Sequence, residues 1–97
     1  MVLVVLVINL NINIMMNVIT DYVAHLIEEH KELSKRIIDI TNKINNTLIN
    51  KEYDDETLVM YHQIKIMNEY KDCLEERLRL NKIIVSDNNY IKVVDSL

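Results

Sequence analysis

Glycine, proline and tryptophan are absent from the 97 residues, and cysteine occurs once. Without glycine there is no P-loop and no dinucleotide-binding fingerprint, so the common nucleotide-enzyme motifs are excluded. Without glycine or proline the usual helix breakers are missing, and helices are favoured. A lone cysteine, Cys73, cannot close an internal disulfide, so a reducing cytoplasm is the default compartment. Lys and Arg number 11 against 15 Asp and Glu, a formal net charge of −4. A general nucleic-acid binder would show a basic face instead, although a local anion site remains open. Long hydrophobic runs are also lacking. Met1 to Ile8 is continuously apolar but too short to span a bilayer, and the start has neither the basic residues nor the cleavage site of a secretory signal.

What is present is helical periodicity. In Thr57 to Leu80 the large residues Met60, Ile64, Met67, Tyr70 or Lys71, Leu74 and Leu78 return at steps of three and four. That spacing lines one stripe of an α-helix. Asp54, Asp55 and Glu56 precede the stripe, where carboxylates cap free N–H groups, and Arg77, Arg79 and Lys82 follow it, where cations suit the helix dipole. An earlier seam steps in the same way through Ile19, Val23, Leu26, His30, Leu33, Ile37, Ile40 and Ile44. Thr20 or Asp21 is its expected N-cap, and its end is expected near Asn46–Ile49. Glu32–Arg36, Lys35–Asp39 and Asp39–Lys43 are spaced four apart, as on a solvated helix face. Between the stripes, Asn45 to Glu56 reads as a turn, with Leu48, Ile49 and Tyr53 expected to close the end of a hairpin.

The expected fold is therefore all-α: two long antiparallel helices over residues 17–82, flanked by an apolar arm at 1–16 and a tail at 83–97. The alternation Asn-Leu-Asn-Ile-Asn-Ile and the Val/Ile content give the arm a β reading. An over-extended reading frame, with Met15 or Met16 as the natural start, is the alternative. In the tail, Ile83-Ile84-Val85 and Tyr90 to Val94 flank Ser86-Asp87-Asn88-Asn89, which reads as strand, turn, strand or as a continuation of the second helix. Ile27, Ile38, Tyr61 and Ile66 widen the two stripes beyond what one partner helix covers. A homo-oligomeric helix bundle, dimer or larger, would remove that surface from water.

No catalytic set is recognisable, and neither a cofactor nor a metal is expected. His25 and His30, five apart, make a poor shared metal site, and no Glu-x-x-His pair occurs. His30 falls on the seam, as a buried histidine bonded to a neighbour; Cys73 lies beside the stripe, as a small packed thiol. One constellation stands out. Gln63, Tyr70 and Arg77 are seven apart along one flank of the second helix, with His62 and Lys65 on the next face. Arginine grips phosphate, tyrosine stacks a base and glutamine reads a polar edge, so this flank suits a phosphate-bearing, stackable ligand. The same residues also suit the edge of a hairpin, with Arg77 paired to a carboxylate of the first helix.

The segments Leu26-Ile-Glu-Glu-His-Lys-Glu-Leu33 and Gln63-Ile-Lys-Ile-Met67-Asn-Glu-Tyr70-Lys-Asp-Cys-Leu74-Glu-Glu-Arg77-Leu78 resemble a family of small helical-hairpin proteins of tailed bacteriophages, crAss-like phages included. The resemblance covers about residues 17–80. The arm before Met15 and the tail beyond Lys82 depart from it. It implies a hairpin fold and a phage protein acting in the host cytoplasm, and it assigns no chemistry by itself. Small oligomeric phage proteins of this kind include counter-defence factors that sequester cyclic-nucleotide immune signals. By that analogy the chain is a non-enzymatic binder of a cyclic oligonucleotide or ADP-ribose derivative. A hairpin that docks a host or phage protein, or a structural phage component, is the alternative.

Overall fold

The computed structural model describes residues 2–8, 20–49 and 54–96. Ile19, Tyr53, Met15, Met16 and the asparagine alternation lie outside them. Five elements follow in order: β1 (Val2–Ile8), α1 (Asp21–Ile49), α2 (Asp55–Leu80), β2 (Ile83–Ser86) and β3 (Asn89–Ser96). The fold is mainly α. Helices of 29 and 26 residues lie antiparallel, and a small sheet covers the end where α1 begins and α2 finishes. No helix among the described residues is long and apolar enough to cross a membrane.

Local chemistry sets the helix ends. Thr20 is the N-cap of α1: its hydroxyl accepts from Val23 N at 3.3 Å and its carbonyl from Ala24 N at 3.0 Å. Asp54 caps α2 by accepting from both the backbone N (2.9 Å) and the hydroxyl (2.8 Å) of Thr57, which is fully buried. These bonds from Thr57 hold the Asp54 carboxyl below its usual range. At the far end, Asn81 N–H bonds the Leu78 and Arg77 carbonyls, and Lys82 takes φ 67°. That left-handed step is where helices commonly place glycine, and it stops α2 at Leu80.

The tail is therefore a hairpin and not a helix extension. Asp87 and Asn88 have φ of 48° and 64°, the two positive values that a type I′ turn demands. With no glycine in the chain, an Asp-Asn pair is the cheapest substitute, because short polar side chains tolerate the left-handed region. The strand order is β1-β3-β2, antiparallel throughout. The N-terminal arm is a strand over Val2–Ile8, in register from Val2 opposite Ser96 to Ile8 opposite Tyr90.

The core sits where helices and sheet meet. Val23, Ala24, Leu26, Ile27 and Leu33 of α1 pack with Leu74 and Leu78 of α2, Ile83 of β2 and Tyr90 of β3. Ile27, Leu74, Leu78 and Ile83 have no exposed surface. His30, on the seam, is 3% exposed and bonds both ways: Nδ1 to the Tyr90 hydroxyl at 2.7 Å, Nε2 to Glu75 Oε1 at 3.0 Å. A carboxylate only accepts, so Nε2 carries the proton toward Glu75 and, in the neutral ring, Nδ1 accepts from Tyr90. One side chain thus ties α1 to α2 and β3.

Several sequence expectations are corrected. Leu48 (44% exposed) and Ile49 (76%) do not close the hairpin, because they lie at the end remote from the sheet. Cys73 is exposed, roughly 100° around α2 from the buried Leu74. None of the three expected ion pairs on α1 closes. The i,i+3 pair Glu76–Arg79 forms on α2 instead, as suits contacts worth only a few tenths of a kcal/mol each.

Candidate functional site

The flank of Gln63, Tyr70 and Arg77 has a matching partner on α1. Tyr22, Glu29 and Arg36 are also seven apart, and in the antiparallel register Tyr22 meets Arg77 and Glu29 meets Tyr70. The Arg77 guanidinium donates from Nη2 to the Tyr22 hydroxyl at 2.7 Å and lies 5.7 Å from the centre of that ring. This contact with Tyr22, and then the more distant Glu29, hold Arg77 above even its ordinary value, fully protonated. The Tyr70 hydroxyl donates to Glu29 Oε1. Arg77 is thus bonded to a hydroxyl and not to the carboxylate expected of the first helix. Tyr70 takes that carboxylate.

Gln63, Tyr70 and Arg77 are all exposed, as are His62 and Lys65. The last two turn away. At 100° per residue they lie about 80° and 140° around α2 from Tyr70, toward the side remote from α1. A cleft of about 240 Å³ opens beside Tyr70, lined also by Glu29, Glu32, Leu33 and Arg36. Arg77 is not in that lining. The structure therefore joins Tyr70 to Arg36 and Glu29, joins Arg77 to Tyr22, and leaves Gln63 one heptad further along. Tyr22, Glu29 and Arg36 were missed in the sequence, although their own seven-residue step carries the same signal.

On the opposite flank of α2, Asp72, Glu75, Glu76 and Arg79 line a cleft of about 350 Å³ against Ile83, Ile84 and Val85. His25 is exposed beside Glu28, Glu29 and Glu32. Among the described residues no group of three or more His, Cys, Asp or Glu is placed to hold a metal ion.

No curated protein and no solved structure matches this chain. A family model does, the Sequestin family, over residues 20–80. The match begins at the N-cap Thr20 and ends at Leu80, so it takes in both helices and the whole of the paired flank. Covering more than half of the 97 residues, it shows that the chain belongs to the Sequestin family.

Proposed function

We propose that the protein is a non-enzymatic phage binding protein that sequesters a phosphate-bearing, nucleotide-type signal in clefts of a homo-oligomer, in the host bacterial cytoplasm. The family name is consistent with a sequestering binding protein. The ligand class is a cyclic oligonucleotide or an ADP-ribose derivative. One observation carries it: Arg77 is exposed, lies 5.7 Å from the centre of the Tyr22 ring, and spends one of its five donors on a neutral hydroxyl. Among the described residues no carboxylate forms an ion pair with it, so its charge is positioned without being neutralised there. Tyr70 supplies a stacking face about two helical turns, roughly 10 Å, along the same flank, and Gln63 an amide edge. His62 and Lys65, turned outward within one chain, would reach the ligand from a neighbouring copy.

Thermal-shift measurements across cyclic dinucleotides and ADP-ribose derivatives test this reading on wild type, Arg77→Ala and Tyr70→Ala. Arg77→Ala weakens capture about tenfold or more by removing a charge-assisted contact. Tyr70→Ala loses stacking of about 1–3 kcal/mol. If no compound shifts the wild type and Tyr70→Ala simply melts earlier, the flank only edges the hairpin. The second reading, a hairpin that docks a host or phage protein, is favoured by the exposed Ile38, Leu58, Val59 and Ile66.

A further inference from the structure

Helix α2 carries two apolar stripes, and one hairpin covers only the first. Met60 and Leu74 are buried and Met67 is partly so. Val59, Ile66 and Cys73 each precede one of these by a single position, and Leu80 continues the same step of seven. All four are exposed, and Val59, Ile66 and Leu80 are more than half exposed. Seven residues depart from two full turns by only about 20°, so the four form a band roughly 60° wide along the helix. One position is about 100° of rotation, so the band lies beside the inward line and outside its cover. An amphipathic helix with a single partner needs one apolar stripe. The second calls for another partner.

Charged residues edge the band. Lys65 and Asp72 run along one side, seven apart; both are exposed, and neither is in an ion pair among the described residues. Gln63, Tyr70 and Arg77 run along the other side. His62, Glu69 and Glu76 lie between the band and the Lys65 line. A twofold axis across an antiparallel helix pair brings each line onto its own line in the other copy, reversed in order. That reversal sets a lysine against an aspartate.

We propose that a second copy of this chain docks on the band, α2 against α2, antiparallel about a twofold axis midway between Ile66 and Cys73. Ile66 then lies across from the partner's Cys73, and Val59 from the partner's Leu80, so all four apolar residues leave water along about 30 Å of helix. The same axis sets Lys65 beside the partner's Asp72, twice, and His62 toward the partner's Glu76. Glu69 meets its own copy near the axis, the one like-charge contact of these lines. A parallel pair gains Asp72 beside the partner's Arg77, but it sets both Glu69 and Glu76 against their own copies and aligns two helix dipoles head to head. Charge therefore selects the antiparallel pair. Lys65 has three donors and Asp72 takes one, which leaves donors for a ligand. The surface rests on the homo-oligomer proposed above and not on its ligand.

Cysteine cross-linking and charge reversal in the full chain provide the test. Ile66→Cys, oxidised at micromolar concentration, is expected to give a covalent dimer through the partner's Cys73, and adding Cys73→Ser abolishes it. Wild type stays uncross-linked, because its two Cys73 residues stand about 10 Å apart along the pair, beyond the roughly 7 Å that a disulfide bridges. In sedimentation equilibrium, Lys65→Asp and Asp72→Lys each weaken the dimer several-fold, and the double variant restores it. Both positions are exposed, so the hairpin itself keeps its helix content. A wild-type disulfide dimer, or an Ile66→Cys dimer that persists without Cys73, shows another packing and overturns the proposal. So does an Ile66→Cys chain that does not cross-link, or a dimer indifferent to both charge reversals. An oligomer that survives all these variants leaves the homo-oligomer standing on a different surface, while thermal shift with ligands, run on the same variants, judges the capture reading separately.

Discussion

At the scale of single residues the His30 contacts matter most. A buried histidine with both ring nitrogens bonded is a satisfied polar group, and each partner comes from a different element. Tyr90→Phe removes the donor to Nδ1 and leaves a buried acceptor unpaired, at a cost of about 1–3 kcal/mol. Burial, followed by the nearby charges of Glu75 and Glu28, pushes the Tyr90 hydroxyl from 10.0 up to about 12. The folded state therefore holds this proton where the unfolded state releases it. Stability from Tyr90 is complete below pH 10 and falls as pH rises toward 12. In urea unfolding, wild type should exceed Tyr90→Phe clearly at pH 8, and the gap should narrow by pH 11. A gap that is constant or widens with pH would show that Tyr90 does not titrate with this sign.

Among the elements, the turns bear the consequences of a chain without glycine. Lys82, Asp87 and Asn88 all occupy positive φ. Asp and Asn accept that region at modest cost, whereas lysine has no compensating local bond from its side chain. Lys82→Gly is therefore expected to stabilise the protein by about 1 kcal/mol, less the entropy of the freer unfolded chain. Chemical denaturation with an unchanged slope would register it as a rise in midpoint. A fall would mean that the lysine side chain contributes contacts worth more than the backbone strain. The helix N-termini behave oppositely, because Thr20 and Asp54 satisfy them with the residue types that caps favour. Asp54, whose carboxyl is held low by Thr57, contributes stability above its unfolded value of 3.8, and loses it as pH falls through the lower folded value.

For the whole molecule the surface is too large. It exposes 7041 Å², against about 5,800 Å² expected for a compact monomer of 11.5 kDa. The radius of gyration, 17.0 Å, exceeds the roughly 12–13 Å of a compact chain of this length. Leu58, Val59 and Ile66, away from the sheet-covered end, are more than half exposed, and so is Ile38 beside the β2–β3 turn. Sedimentation equilibrium is accordingly expected to find at least a dimer at micromolar concentration, with Ile66→Lys shifting it toward monomer. A wild-type monomer would remove the oligomeric cleft from the proposed function.

The two helices were legible in the sequence because their determinants are local and periodic. Val23 to Ile44 and Met60 to Leu78 each place a residue inward every three or four positions, and Thr20 and Asp54 are caps by chemistry. The antiparallel arrangement followed from the short polar link. The flank of Gln63, Tyr70 and Arg77 was visible through its step of seven, and so, unread, was that of Tyr22, Glu29 and Arg36. Only tertiary structure could pair them, since a register between helices depends on packing at Leu26, Leu33, Leu74 and Leu78 rather than on either stripe alone. It also decided between helix and hairpin after Leu80. Ile83-Ile84-Val85 suits both, and the choice falls to strand because Ile83 and Tyr90 gain burial against Ile27 and Leu78, and His30 gains its second partner. Those contacts span up to 60 residues of sequence. No local pattern encodes them; they exist only once α1, α2 and the sheet meet.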